Sequence, residues 1–176
     1  MNTLDQLAVK AKSGDAGAFG RLFDELSPSI YRFLAFRLNR CEDAQDLTNQ
    51  TFLEAWQSIR RYDESRSFKT WLFAIARYIL IDFYRRQRPK VSLEAVTERP
   101  ADTDLQADIE LTANVGEAIA AINQLPELYQ TTLKLRYIEE LEYAEIAQIT
   151  GKTENSIRVI VKRGLDKLRN SLTPNP

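Results

Sequence analysis

The amino-acid sequence predicts an all-α fold class: two small helical domains joined by a flexible acidic linker, the C-terminal one carrying a helix-turn-helix. Apolar residues recur every three to four positions along most of the chain, and no stretch alternates as a β-strand would. A proline-bounded, acidic stretch with few large apolar residues follows residue 88 and is typical of a linker. Near the C-terminus, two helical patterns flank Gly151, which suits a tight turn. The predicted domains are therefore residues 1–88 and 105–176, with the linker at 89–104.

Composition limits the class of protein. The chain has 176 residues, 44% of them hydrophobic, with six glycines and six prolines, which is typical of a globular fold. No apolar run approaches the roughly 18 residues of a membrane span, and the first residues do not resemble a secretory signal. We therefore expect a cytoplasmic location and no direct membrane insertion. With no histidine and one cysteine, Cys41, we expect no enzyme activity, no metal and no cofactor, and a buried or incidental thiol rather than a redox sensor.

The net charge of −1 conceals an uneven distribution. Lys and Arg outnumber Asp and Glu by 15 to 11 in residues 1–90 and by 6 to 2 in 151–176. The acidic residues prevail between them, by 6 to 1 in 91–112 and by 6 to 2 in 113–150. Two basic ends separated by an acidic middle predict two contacts with a polyanion.

Three short helices are predicted at the start of the chain. The first covers residues 3–12, the second begins after Asp15, and the third opens at Ser27 and Pro28, because serine caps a helix and proline suits its first turn. Their predicted buried residues are Leu4, Leu7, Ala8, Ala11, Phe19, Leu22, Phe23, Leu26, Ile30, Phe33, Leu34 and Leu38.

The next helix is predicted to be capped by Asp43 and to bury an apolar stripe from Leu47 to Ile59. Its other face carries Asp46, Asn49, Gln50, Leu53, Glu54 and Gln57. A solvated face is one interpretation of this row. A protein contact is the other, because Leu53 would be exposed among polar groups.

Residues 60–67 lack apolar periodicity and are predicted to be a loop, after which Ser67 caps a helix that stops before Pro89. The predicted core face of that helix consists of Trp71, Leu72, Ile75, Ile79 and Phe83. A second set mixes aromatic and cationic groups: Arg60, Arg61, Tyr62, Arg66, Lys69, Phe73, Arg77, Tyr84 and Arg88. Aromatic rings stack on unpaired bases while guanidinium groups contact phosphates, so this set suits single-stranded nucleic acid. The alternative is that the rings pack into the core and only the charged ends reach solvent.

Helical patterns resume with Leu105 and, after Leu125 and Pro126, continue to Ile138. The helix-turn-helix then pairs a short helix ending at Thr150 with a second helix capped by Thr153. The predicted buried stripe of the second helix is Ile157, Val161, Leu165 and Leu168. Its other face and the turn before it carry Lys152, Thr153, Asn155, Ser156, Arg158, Lys162 and Arg163. Such donors suit readout of the DNA major groove, whereas an ordinary helical hairpin would leave the same face to solvent.

Three blocks of sequence occur in a recognisable order: DAQDLTNQTFLEAWQSIRRY, then SFKTWLFAIARYILIDFYRRQR, then LPELYQTTLKLRYIEELEYAEIAQITGKTENSIRVIVKRGLDKLR. Across about residues 15–170, the chain closely resembles the extracytoplasmic-function (ECF) group of bacterial RNA polymerase sigma factors. The resemblance implies two all-α domains, regions 2 and 4, in a dissociable polymerase subunit that selects promoters and helps to open them.

The resemblance also implies roles for residues. Those that would dock on the clamp helices of the largest core polymerase subunit are Asp43, Asp46, Asn49, Gln50 and Leu53, with the polymerase flap region as another contact. The loop 60–67 and the helix 68–88 would recognise and melt the minus-10 box. The segment 142–169 would read the minus-35 box as duplex. An anti-sigma factor, often membrane-bound, would be a further partner.

The chain departs from the family pattern before the helix-turn-helix, where Glu140 and Glu142 replace the usual glycine and serine. We therefore expect the usual helix cap to be lost, the turn to be less well defined, and nearby phosphates to be repelled. Two other functions remain as alternatives. One is an autonomous helix-turn-helix regulator, and the other, an enzyme on nucleic acid, is disfavoured by the absence of histidine and of clustered carboxylates.

Overall fold

The computed structural model of the protein describes residues 3–38, 40–87 and 113–172, and these residues form two separate all-helical units. The all-α prediction is confirmed, since no strand occurs within these ranges. The predicted linker and residues 105–112 lie outside the described residues, as does Arg88. Among the described helices, none combines the length and hydropathy needed to cross a membrane.

The N-terminal unit contains α1 (Thr3–Lys12), α2 (Ala16–Ala35), α3 (Cys41–Ser58) and α4 (Phe68–Gln87), with a 3-10 turn at Ile59–Arg61. Helix α2 packs against α1, α3 and α4, and α3 also packs against α4. Large buried residues of these helices include Leu22, Ile30, Phe33, Leu34, Phe52, Phe68, Leu72 and Phe73. Burial of this apolar surface is the main term that stabilises the unit.

Helix α2 begins as predicted but does not end as predicted. The Asp15 carboxylate accepts a hydrogen bond of 2.9 Å from the Ala18 N–H, which is a helix cap. The prediction of a new helix at Ser27 and Pro28 is wrong, because α2 continues through Pro28 to Ala35. Proline inside a helix typically costs about 3 kcal/mol. Here buried apolar residues on both sides of Pro28 keep the helix continuous.

The start of α3 also differs from the prediction. The helix begins at Cys41, and Arg40 occupies the cap position without a side-chain cap bond. Asp43 therefore lies in the first turn with Glu42, where a carboxylate interacts favourably with the helix dipole, and is not the cap. Cys41 is exposed, so a buried thiol is excluded.

Helix α4 is capped as predicted, because the Ser67 hydroxyl accepts a hydrogen bond of 3.1 Å from the Thr70 N–H. Its buried face is broader than the prediction. Phe73 and Leu80 are buried, whereas the predicted core residues Trp71, Ile75 and Phe83 are only half-buried. Neighbours on two sides of α4 cover it, since both α2 and α3 pack against it.

The C-terminal unit contains α5 (Ala113–Asn123), α6 (Glu127–Tyr137), α7 (Tyr143–Thr150) and α8 (Glu154–Leu172). Helix α8 packs against the other three. The residues that close this core include Ile122, Leu133, Leu135, Leu141, Ile146, Ile149, Ile157 and Val161. Helices α7 and α8 are the predicted helix-turn-helix.

The turn between α7 and α8 forms as predicted. Gly151 adopts a left-handed conformation with φ of 68°, where glycine carries little steric penalty. The Thr153 hydroxyl accepts a hydrogen bond of 3.2 Å from the Ser156 N–H and so caps α8.

The predicted buried stripe of α8 is confirmed at Ile157 and Val161 and wrong at Leu165, and Leu168 is only half-buried. Leu165 is 40% exposed, and the small residue before it, Gly164, lies against α6 instead. A Cβ on Gly164 would lie 3.0 Å from Leu133 Cδ1 and 3.3 Å from Tyr129 Cδ1. This close approach of the two helices turns Leu165 out of the contact.

The cap of α7 is not lost, contrary to the expectation from Glu140 and Glu142. The Glu142 N–H donates a hydrogen bond of 2.9 Å to the Glu145 carboxylate, one half of a capping box. Glu142 also pairs with Arg136 at 3.2 Å, and this hydrogen-bonded carboxylate raises the pKa of Arg136. The turn is defined, and Glu140 takes a positive φ of 57° within it.

Candidate nucleic-acid and protein interfaces

The solvent side of α8 carries the donors that the sequence predicted for duplex DNA. Lys152 and Thr153 in the turn, and Asn155, Ser156, Arg158, Lys162 and Arg163 on the helix, are all exposed. The opposite side of the helix holds Ile157 and Val161 in the core. The structure therefore brings the seven predicted residues together on one open surface.

Arg158 differs from the other donors because neighbouring side chains already hold it. Its guanidinium pairs with Glu154 at 2.5 Å and lies over the Tyr143 ring, 4.6 Å from the centroid. The Arg136 guanidinium lies over the same ring at 4.7 Å. These cation–π contacts tie α8 to α7 and keep Arg158 on the flank of the surface nearest α7.

Tyr62 does not offer its ring to a partner, so its prediction as a base-stacking residue is wrong. It is 2% exposed and packs on Phe68 and Trp71 with ring centroids 5.5 and 5.4 Å away. Its hydroxyl donates a hydrogen bond of 2.6 Å to the Arg66 carbonyl. Burial, and then the nearby charges of Asp5, Glu64 and Asp63, raise the pKa of Tyr62 to about 12.

The prediction that Phe73 stacks on bases is also wrong. It is fully buried and meets Phe33 edge to face, with centroids 5.4 Å apart. Phe73 lies on α4 and Phe33 on α2, and burying such a large apolar ring stabilises the fold more than exposing it to solvent. The alternative interpretation, in which the aromatics pack into the core, is therefore correct for these two residues.

Helix α1 holds the loop that precedes α4. Lys12 Nζ donates a hydrogen bond of 2.9 Å to the Tyr62 carbonyl and pairs with Glu64 at 2.8 Å. The Asp5 carboxylate accepts a hydrogen bond of 2.9 Å from the Phe68 N–H, the first residue of α4. Two side chains of α1 thus determine the path of a loop that lies about fifty residues further along the chain.

The loop before α4 carries exposed cations together with the exposed carboxylates of Asp63 and Glu64. Arg60, Arg61 and Arg66 are exposed, and Arg66 lies 3.8 Å from the Asp63 carboxylate. Lys69 and Arg77 are half-buried on α4. Of the predicted aromatic residues, Tyr84 is the exposed one, with its hydroxyl donating to the Arg37 carbonyl.

Two exposed residues of α4 were missed by the sequence analysis. Tyr78 is 68% exposed and Ile81 lies one turn further on, also exposed. Arg85 follows at the next turn of the same stripe and pairs with Asp82 at 2.7 Å. The i, i+3, i+7 spacing from Tyr78 is the sequence signal for this aromatic and cationic stripe, whereas the predicted row runs through Lys69, Phe73 and Arg77.

The α3 face predicted for protein contact is open. Asp46, Asn49 and Gln50 are exposed, Asp43 is half-buried, and Leu53 is 57% exposed. Beside Leu53, α2 and α3 enclose an apolar groove of about 370 Å³ lined by Ala16, Phe19, Gly20, Phe23, Phe52, Leu53 and Trp56. Phe23 was predicted to be buried, but it is exposed at this groove.

Comparison with known proteins identifies both units. The model of Sigma-70 region 2 matches residues 22–90, and that of Sigma-70 region 4 matches residues 116–168. The chain is 32% identical over 171 residues to the ECF RNA polymerase sigma factor SigC of Mycobacterium tuberculosis, covering 96% of this chain and 91% of that one. It is 30% identical over 172 residues to the ECF sigma factor BldN of Streptomyces coelicolor, covering 93% of this chain and 63% of BldN.

Solved structures share the fold. CnrH, in complex with the cytosolic domain of CnrY, has a TM-score of 0.73 at 22% identity, covering 97% of each chain. The sigma factor RpoE of Bartonella quintana, in complex with the anti-sigma factor NepR, has a TM-score of 0.68 at 21% identity, covering 90% of this chain and 98% of that one.

Two helical units matched in order by regions 2 and 4 define a sigma factor of the sigma-70 family. The chain belongs to the ECF group of that family, the alternative sigma factors that direct transcription initiation. The autonomous helix-turn-helix regulator is not favoured, because region 2 accounts for the N-terminal unit.

Proposed function

We propose that this sigma factor docks on core RNA polymerase through α3, reads the minus-35 box as duplex through α8, and captures the minus-10 box as melted strand through the loop 60–67 and α4. The domains that carry these tasks are residues 1–88 and 105–176, joined by the linker 89–104. The observation that carries the proposal is the α8 surface, where seven donor side chains are exposed on a helix-turn-helix.

The duplex contact follows from the geometry of α8. An α-helix fits the major groove, and its side chains reach base edges only from the side turned away from its own domain. Asn155, Lys162 and Arg163 project from that side, opposite the buried Ile157. Arg158, held at the flank, suits a phosphate contact that orients the helix.

Strand capture requires exposed rings and cations, and α4 supplies both. Opening a duplex costs about 1.4 kcal/mol per base-pair step, and stacking one base on a ring returns roughly 1–3 kcal/mol. The exposed ring of Tyr78 on α4 and the exposed cations Arg60, Arg61 and Arg66 before it are the groups we assign to this task. Tyr84 is also exposed, about 120° from Tyr78 around α4. Tyr62 instead supports this surface from within.

Polymerase docking is assigned to the α3 row and the adjoining groove. An exposed leucine surrounded by polar side chains, next to an open apolar groove, is a typical centre of a protein interface. The clamp helices of the largest subunit would cover Asp46, Asn49, Gln50 and Leu53, with the flap region as another contact. We propose the cytoplasm as the location of the protein, because that is where this partner acts.

We also propose an anti-sigma factor as a partner that opposes docking. The similar RpoE of Bartonella quintana was solved in complex with the anti-sigma factor NepR. An inhibitor that covered Leu53 and its groove would compete directly with polymerase, since both need the same apolar centre.

The proposal is tested by a gel shift on a cognate promoter with and without core polymerase. We expect sequence-specific binding only with core enzyme. Leu53→Asp should abolish assembly with core enzyme, whereas Arg163→Ala should leave assembly intact and weaken promoter binding. The control is Lys10→Ala, which removes an exposed cation on α1, outside the proposed surfaces. Specific, tight binding by the free protein would instead support the autonomous regulator.

Strand opening is tested separately by permanganate footprinting, which detects unpaired thymines. Arg61→Ala and Tyr78→Ala should leave the gel shift of the holoenzyme nearly unchanged and reduce the reactivity of the minus-10 thymines. Arg163→Ala should reduce both signals together. If all three variants showed the same defect, the division of labour between the two units would be wrong.

A further inference from the structure

Val159 on the solvent side of α8 is apolar, unlike the seven predicted donor residues around it. Val159 is 47% exposed and lies two positions from the buried Ile157, which is about 200° around the helix at roughly 100° per residue. It therefore occupies the middle of the solvent side, opposite the core. Asn155 precedes it by one turn, and Arg163 follows it by one turn.

Val159 is not one of the core residues of its domain. The core contacts of α8 are made by Ile157, Val161 and Gly164, on the other side of the helix. A single exposed valine is ordinary on a protein surface. Here, however, the side chains one turn away, from Asn155 and Ser156 to Lys162 and Arg163, are all exposed hydrogen-bond donors. An apolar side chain at the centre of a set of polar ones suits a site where one apolar contact is required.

The major groove offers such a contact at one kind of base. Thymine presents a C5-methyl group there, whereas adenine, guanine and cytosine present donors and acceptors at their edges. A valine methyl pressed on the cytosine amino group would leave that donor without a partner, which is costly when water is excluded. An aliphatic side chain in this position therefore binds thymine and also disfavours cytosine.

We propose that Val159 is a specificity-determining residue that packs on the C5-methyl group of a thymine in the minus-35 box. The inference rests on the proposed role of α8. In this arrangement Lys162 and Arg163 hold the flanking phosphates and base edges, and Val159 reads one thymine between them. The box selected by this protein accordingly contains a thymine, on one strand or the other, at the position that faces the middle of α8.

The test removes the methyl group and nothing else. The minus-35 box is first selected from a random duplex library with the holoenzyme, and each of its thymines is then replaced in turn by deoxyuridine. For the wild-type protein, we expect a loss of about three- to tenfold in affinity at one position and little change at the others. Val159→Ala should bind the thymine promoter with that same loss and show no further effect of deoxyuridine at that position.

Leu165→Ala is the matched control, because Leu165 is an exposed aliphatic residue of the same helix that lies about 120° away from Val159. It should keep the full deoxyuridine effect. The inference is overturned if wild-type binding is insensitive to every replacement, if the selected box has no thymine, or if Val159→Ala keeps the sensitivity. A holoenzyme that bound a scrambled box equally well, and ignored Arg163→Ala, would instead contradict the role of α8 itself.

Discussion

Among the residues that the structure describes, Glu140 is the non-glycine residue with a positive φ. Its φ of 57° is in the left-handed region, which costs a residue with a Cβ about 1–2 kcal/mol. Replacing Glu140 by glycine would remove this strain, but the gain is smaller than the strain because glycine loses more conformational entropy on folding than glutamate does. We therefore expect Glu140→Gly to raise the free energy of unfolding of the C-terminal unit by roughly 0.5–1 kcal/mol, measured from hydrogen exchange of the α6 to α8 amides.

Gly151 provides the opposite control. It has a similar φ of 68°, and a Cβ there would have no heavy atom within 4 Å, so strain in the backbone is the main effect of substitution. Gly151→Ala should reduce protection of the same amides by about 1 kcal/mol. If Glu140→Gly also reduced protection, backbone strain would not be what limits this turn.

The raised pKa of Tyr62 predicts that the N-terminal unit loses stability at alkaline pH. Its folded pKa of about 12 is above the ordinary value of 10.0, so the unfolded chain loses its proton first as pH rises. The contribution to stability is complete below pH 10 and is lost between about pH 10 and 12. Tyr62→Phe should lower stability at pH 7 by about 1 kcal/mol, through loss of the hydrogen bond to the Arg66 carbonyl.

The measurement is urea unfolding followed by tryptophan fluorescence, since Trp56 and Trp71 both lie in this unit. The difference between wild type and Tyr62→Phe should narrow as pH rises above 10. A difference that stayed constant up to pH 12 would show that ionisation of this hydroxyl is not coupled to folding.

At the scale of elements, the contact between α6 and α8 depends on the absence of a side chain at Gly164. A β-branched residue would push against Leu133 and Tyr129, which are already within 3.0 to 3.4 Å of a bare Cβ. We expect Gly164→Val to destabilise the C-terminal unit by about 1–3 kcal/mol, as overpacking does elsewhere. Leu165→Val, which places the same residue type one position further on at an exposed site, should cost well under 1 kcal/mol.

Helix positions were largely predictable from sequence, because apolar spacing, caps and Gly151 are local signals. The errors occur where packing overrides a local signal. Pro28 predicts a helix start, but buried neighbours on both sides carry α2 through it. Leu165 fits the apolar period of α8, but Gly164 makes the contact.

Packing also decides which residues of the candidate sites are exposed. The residue types in the loop 60–67 and α4 suggested stacking surfaces, and only the packed structure shows that Tyr62 and Phe73 are buried while Tyr78 is open. By contrast, the α3 and α8 rows were predicted correctly as exposed surfaces, because a helix with one apolar stripe leaves its other side to solvent.

At the scale of the whole molecule, local charge matters more than the net charge of −1. Each phosphate contact releases counterions, so the slope of log affinity against log salt steepens by about 0.9 per contact on duplex DNA. Lys162→Ala combined with Arg163→Ala should therefore flatten the slope of holoenzyme binding to a minus-35 duplex by roughly 1 to 2. Lys10→Ala should leave it unchanged. An unchanged slope in the double variant would place the phosphate contacts elsewhere.

The order of the three sequence blocks along the chain indicated a family whose members have two units. Periodicity and composition alone could not have assigned the chain to that family. A helix-turn-helix occurs in many regulators, whereas its combination with a preceding region 2 is specific.

The bonds from α1 to the loop before α4 have a practical consequence for anyone who shortens the protein. Without Lys12 and Asp5, the Tyr62 carbonyl and the Phe68 N–H would both lose their partners. A chain trimmed by its first dozen residues would also lose the buried Leu7, Ala8 and Ala11 of α1, so the whole N-terminal unit should become less stable and both assembly and promoter opening should suffer.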